Sequence, residues 1–284
     1  MTQKIHLLIT VVFFFALFAQ LAAAAYIEIT APVAATAYDG TVVDFGAVGP
    51  GQSLEIGASE PSGDPSYGNP NVIAVWDQLN FVPESVPGGW SFENGKTYER
   101  NFHAFLLVSP QAADGDYTFK MKPVDEYEGS GDVTFTGKVR VNHDVFGLSA
   151  SPSQATVAVG TPALYTLVLE NRAMATDTYN VTVSGFPGAA KYSKKATVVR
   201  QSKATVPFEV VSNEQATYPV TFTAVSLSSS RITASASAKI TSKASLFEDV
   251  QSAGYGLLLF SNSQQAVVGF LAFAANTYDA LMAK

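Results

Sequence analysis

A tyrosine recurs at one address in both halves of a chain that has no cysteine: Asp114-Gly115-Asp116-Tyr117-Thr118-Phe119 in the first half, Ala216-Thr217-Tyr218-Pro219-Val220 in the second. An alternating apolar run followed by a short polar loop precedes each of them, Phe105-Leu106-Leu107-Val108-Ser109 and Phe208-Glu209-Val210-Val211-Ser212. A tyrosine placed this way opens a strand at a sandwich corner. Its hydroxyl bonds back to nearby backbone, and the residue two positions on faces the core. Phe119 and Val220 hold that inward position, where disulfide-bonded sandwiches carry cysteine. The chain is expected to use one two-layer β plan twice.

Period-two runs separated by Gly, Pro, Ser and Asn extend this to the whole interior. Phe102, Ala104, Leu106 and Val108 share one face of a strand; Tyr117, Phe119 and Met121 share another; Val133, Phe135, Gly137, Val139 and Val141 line a third. Val48-Gly49-Pro50-Gly51-Gln52 reads as a turn between two strands, since its glycines permit positive φ. Val72 to Trp76 reads as strand C, with Trp76 as core tryptophan. The Gly57 to Asn71 loop, rich in Pro and Gly, is either a contact loop or a structureless one. From Val145 to Lys243 the runs fit seven or eight further strands, and the Ser/Ala/Thr-rich stretch Arg231 to Lys239 needs its neighbour to hold register. The fold class is therefore all-β: two tandem immunoglobulin-like β-sandwiches over 26–144 and 145–243, a signal peptide over 1–25, and a linker with an apolar C-terminal helical segment over 244–284.

The first residues carry a three-part export signal: Lys4, an apolar run from Leu7 to Ala19, and small residues Ala22 to Ala25 for cleavage. Everything after it is expected to be extracytoplasmic, at a cell surface or membrane. An exported chain without cysteine points to a prokaryotic envelope, because eukaryotic secreted modules of this class commonly use disulfides. Charge is unevenly spread. Residues 26 to 145 hold 17 acids and 6 bases (−11), and residues 146 to 245 hold 4 acids and 9 bases (+5), so opposite fields favour head-to-tail contact between domains or subunits.

Val250 to Tyr278 contains no charged residue. Ser261 and Gln264 are spaced as a capping box. Leu257, Leu258, Leu259 and Phe260 precede them, and Val267, Val268, Phe270, Leu271 and Phe273 follow at helical intervals, coating most of a cylinder. These are candidate membrane contacts, because a helix this apolar is costly to leave in water. A span or re-entrant segment, an interfacial or oligomerising helix, and a helix folded back on its own sandwich remain open, since the polar run Ser261 to Gln265 sits in the middle.

Reactive chemistry is sparse. His103 and His143 are forty residues apart with no ligand partner at helical spacing, and no nucleophile elbow, phosphate loop or cysteine nucleophile occurs. No enzyme and no resident cofactor is expected. Asp125, Glu126, Glu128 and Asp132 crowd one hairpin loop and are candidate calcium ligands, although their spacing matches no EF-hand. Asn180-Val181-Thr182 is a glycosylation sequon. Lys191, Lys194, Lys195, Arg200 and Lys203 cluster in the second half; an anionic headgroup or surface glycan suits an exported chain better than nucleic acid, and a solvated hairpin suits it as well.

Gly49-Pro50-Gly51-Gln52-Ser53, Pro87-Gly88-Gly89-Trp90, Phe105 to Val108 and Asp116-Tyr117-Thr118-Phe119 together resemble the NEW3-type immunoglobulin-like domains of exported archaeal and bacterial proteins. Ala163-Leu164-Tyr165-Thr166-Leu167, Glu170-Asn171 and Asp177 to Val181 are similar to the same broad class, including CARDB-like adhesion modules, without the Gly-Trp pair. The resemblance implies extracellular display, spacing or adhesion without catalysis. The expected function is a non-enzymatic surface protein with a structural or adhesive role, membrane-associated through its C-terminal segment. Two alternatives are carried with it: a subunit of a self-assembling surface fibre or layer, built from homo-oligomer or other envelope-protein contacts, and a carbohydrate-binding accessory module using Trp90, Tyr98 and Tyr127 as stacking faces.

Overall fold

A computed structural model describes residues 25–59, 76–99, 101–126 and 133–244. In the first unit the strands are β1 (Tyr26–Ala31), β2 (Ala35–Tyr38), β3 (Val42–Val48), β4 (Ser53–Ser59), β5 (Gln78–Phe81), β6 (Ser91–Glu93), β7 (Asn101–Leu107), β8 (Gly115–Val124) and β9 (Phe135–Val141). They form two sheets, ordered β2-β1-β4-β7-β6 and β3-β9-β8-β5. Apart from the β2 hairpin this is the ABED and A′GFC arrangement of an immunoglobulin-type sandwich. The first strand pairs in one sheet, and after the cis Ala31-Pro32 bond the chain reaches β3, which runs parallel to β9 in the other.

The second unit repeats the plan with β10 (Phe146–Ser151), β11 (Gln154–Ala158), β12 (Pro162–Asn171), β13 (Asp177–Ser184), β14 (Ser193–Val198), β15 (Ser202–Val211), β16 (Thr217–Ser226) and β17 (Thr233–Lys243). Its sheets are β10-β12-β15 and β11-β17-β16-β13-β14, so the strand after C pairs with C and not with E. Again a cis Ser151-Pro152 bond separates the first strand from one that runs parallel to the last. The Ser/Ala/Thr-rich run forms β17, held in continuous antiparallel register with β16 from Thr217↔Thr241 to Val225↔Thr233.

Each unit has its own apolar core. Phe45, Leu54, Ile56, Leu79, Phe102, Phe119 and Phe135 fill the first, and Tyr165, Leu167, Tyr179, Phe208, Phe222 and Ile240 fill the second. Phe119 and Val220 both point inward, at 1% and 0% exposure. The first corner is made as expected, with the Tyr117 hydroxyl donating to the Ala113 carbonyl at 3.0 Å. The second differs: the Tyr218 hydroxyl bonds the Glu214 carboxylate, which sits four residues upstream and takes the place of a backbone acceptor. That carboxylate holds the Tyr218 phenol above its ordinary pKa.

Strand C needs a correction. It is β5, Gln78–Phe81, pairing with β8; Trp76 lies before that strand and is a core tryptophan as expected, buried in the first core with its indole N–H donating to the Tyr26 carbonyl at 2.8 Å. Val72 to Val75 lie outside the described residues, as do the signal segment and the C-terminal run.

Tyr179 departs from the usual rule for buried polar groups. Its ring stacks on Phe146 with centroids 3.8 Å apart, yet its hydroxyl is buried without a hydrogen-bond partner, and burial pushes its phenol pKa up. A buried hydroxyl without a partner carries its desolvation cost uncompensated. Tyr179→Phe should therefore stabilise the second unit by about 1 kcal/mol, a rise of a few degrees in melting temperature. Differential scanning calorimetry tests this, and a lower transition would show that the hydroxyl has a partner after all.

Candidate interaction surfaces

The Gly-Pro-Gly turn sits at the junction of the two units, where its sequence serves a contact. Gln52 closes the turn by accepting the Gly49 N–H at 2.7 Å, and its own carboxamide N–H then donates to Asp177 across the junction at 2.8 Å. Asp177 stands at the start of β13 and is 4% exposed. Ser226 Oγ and Ser228 Oγ donate to it at 2.7 and 2.8 Å, and the Thr178 N–H does so at 2.7 Å. A buried carboxylate with four donors is satisfied in a way that a buried charge demands.

Backbone contacts continue the seam. The Met174 N–H donates to the Ala47 carbonyl at 2.8 Å, and each residue packs against the other unit's core. Arg231 reaches back to the Ala112 carbonyl and lies 3.8 Å from Asp114, which also binds His143. His103 pairs with Glu55 at 2.7 Å on an outer sheet face. The two histidines thus have separate carboxylate partners, and no group of three metal-ligating side chains occurs among the described residues. Asp177 and Gln52 were not legible as a pair; the only trace is a polar residue beside each of two small-residue loops.

The calcium candidates divide. Glu128 and Asp132 lie outside the described residues. Glu126 receives the Tyr98 hydroxyl, and its backbone N–H donates to Asp77 at 2.7 Å; Asp125 also has a partner. Asn180 lies half-exposed on the outer face of β13, accepting from Ser193 Oγ at 2.8 Å, so the sequon is on a solvent-facing strand. Of the proposed stacking faces, Trp90 packs against Tyr117 with centroids 5.0 Å apart, Tyr98 is 64% exposed, and Tyr127 is outside the described residues. The membrane-contact candidates from Leu257 to Phe273 are likewise outside them, and among the described residues no helix is long and apolar enough to cross a membrane.

The basic cluster runs through the 3-10 turn Ala189–Lys191, β14, β15 and the turn between those strands. Lys194 Nζ donates to the Pro207 carbonyl at 2.6 Å and lies over the Phe208 ring, while the Tyr192 hydroxyl accepts the Val211 N–H at 3.2 Å. Pro207 has no N–H to offer. These three devices blunt the β15 edge against strand addition. Lys203 pairs with Glu170 at 3.1 Å; Lys195 and Arg200 have no ion-pair partner among the described residues.

No family model and no curated protein matches the chain. Among solved structures it is similar to the CARDB domain of a Pyrococcus furiosus protein in complex with di-metal ions, at 14% identity and TM-score 0.29 over 35% of this chain and 94% of that one. It is also similar to fibronectin(III)-like modules of Clostridium thermocellum CbhA (14%, TM-score 0.26, 77% and 94% covered) and to the Yersinia pseudotuberculosis adhesin InvE (12%, TM-score 0.28, 77% and 60% covered). A CARDB domain thus stands among the neighbours, consistent with the CARDB-like resemblance, while the NEW3-type resemblance rests on its motifs alone. The immunoglobulin-type assignment of both units rests on their strand order.

Proposed function

We propose that this is an exported, non-catalytic surface protein whose two sandwiches act as one stiff spacer or adhesive module, held at a membrane by the apolar residues between Leu257 and Phe273. The observation that carries the reading is the closed junction: a buried four-donor carboxylate, a turn set into the neighbouring unit, and two exchanged core contacts. Domains meant to move freely share small, polar, wet contacts. A junction satisfied by buried polar bonds fixes an angle instead, which suits a part that must hold something at a set distance.

The export signal, the lack of cysteine and the uncharged stretch from Val250 to Tyr278 support the address. Membranes from cells producing the full chain, washed in alkaline carbonate, should retain the protein. A Leu258→Asp/Phe270→Asp variant should wash off, since two charges within the apolar stretch oppose burial in lipid. Recovery of the unaltered protein in the wash would overturn the membrane contact.

A further inference from the structure

Asn180 presents a free carboxamide on an interior strand. It sits on β13, which is paired with β14 on one side and β16 on the other. Because Tyr179, Val181 and Val183 point into the core, Asn180 and Thr182 share the outer face at successive outward positions. Asparagine is depleted in strands, where its side chain competes for backbone bonds. Here it takes none: Ser193 Oγ donates to its Oδ1 at 2.8 Å, and its Nδ2 has no partner among the described residues.

The surroundings leave room for a bulky polar group. Thr178 and Thr182 flank Asn180 along the strand, Lys195 and Val225 stand opposite it on β14 and β16, and Thr223 and Ser235 continue the Thr182 row across the sheet. All of these are half-exposed or exposed. The strands β13, β14, β16 and β17 carry no acidic residue except the buried Asp177. A sugar attached at Nδ2 would therefore meet mostly hydroxyls and no carboxylate.

We propose that Asn180 is N-glycosylated from a lipid-phosphate-linked oligosaccharide, with the Thr182 hydroxyl as the second element of the acceptor sequon. In that transfer a bond forms between Nδ2 and the anomeric carbon of the donor sugar. The anomeric carbon–oxygen bond breaks, the lipid phosphate leaves with its electron pair, and one Nδ2 proton passes to water. Since β13 is hydrogen-bonded on both sides over residues 179–182, the acceptor cannot be drawn out of the finished sheet, and transfer precedes its closure. The attached glycan then keeps the Ser/Thr face solvated. The proposal rests on the export reading, because the lipid-linked donor is used on the far side of the membrane, and it does not rest on the C-terminal membrane contact.

Trypsin cleaves after Arg172 and Lys191, so the peptide Ala173–Lys191 carries the sequon by itself. Mass spectrometry of that peptide, from full-length protein made in its native cells, should find it heavier by an oligosaccharide borne on Asn180. Asn180→Gln and Thr182→Val should each abolish the added mass, whereas Thr182→Ser should keep it. All three changes lie on the outer face and leave the core untouched. A bare peptide in a chain whose N-terminus lies near Tyr26 would overturn the glycan and leave export standing. A bare peptide in a chain that still carries Lys4 would overturn both. Added mass that survives Thr182→Val, or that maps to a hydroxyl side chain, would overturn the assignment to Asn180.

Discussion

Replacing Asp177 by Ala is expected to lower the stability of the second unit by about 3 kcal/mol, since hydrogen bonds to a charged acceptor count for more than neutral ones and their donors stay buried. Gln52, Ser226 and Ser228 would all lose their acceptor, and Gln52 and Ser226 are at 0% and 5% exposure. The effect should extend across the junction. A Gln52→Ala/Asp177→Ala double-mutant cycle, read by urea unfolding, should show a coupling of about 1–2 kcal/mol, as residues in one network do. Asp177→Asn keeps one carbonyl oxygen as acceptor and should cost about half as much. A coupling near zero would mean that Gln52 merely fills space beside the carboxylate and that the units are joined by backbone alone.

Local rules carried the sequence reading where structure is set locally. Period two placed Phe119 and Val220 inward, and the corner tyrosine found its backbone acceptor at Ala113. They faltered where two local solutions are equally good: an i−4 carboxylate displaced the backbone at Tyr218, and the apolar run ending at Trp76 drew strand C upstream of the more polar Gln78–Phe81. An apolar run states that residues are buried, and burial alone does not say by which element. Trp76 is buried at 2%, yet it precedes its strand.

The junction was hidden for another reason. Gly49-Pro50-Gly51-Gln52 was readable as a turn, but its partner lies 125 residues away at Asp177, and nothing in either segment names the other. The charge asymmetry of the two halves was visible, and it gave sign without place. The sheet registers supply the place on the first unit, setting Glu55 and Glu93 on either side of Phe105.

Gly51→Ala should open the junction, and it separates a stiff spacer from two beads on a string. Gly51 has φ +75°, where a side chain is disfavoured by roughly 1 kcal/mol or more. Its added Cβ would stand 2.2 Å from the Ser228 carbonyl oxygen, a backbone atom that cannot swing aside as a side-chain tip does. Strain and overpacking together should cost about 3 kcal/mol, relieved most cheaply by the turn lifting away from the Ser226–Ser229 loop. The Gln52 bond to Asp177 would part with it. The atoms a Cβ at Gly51 would meet belong to Ser228 and Ser229 and to no core side chain, so each sandwich should stay folded while the angle between them is released. Small-angle scattering should then show a broader distribution of inter-unit distances, and calorimetry two separated transitions in place of a coupled one. An unchanged scattering profile with only a lowered melting point would place the damage inside the first unit and remove the basis for a fixed angle.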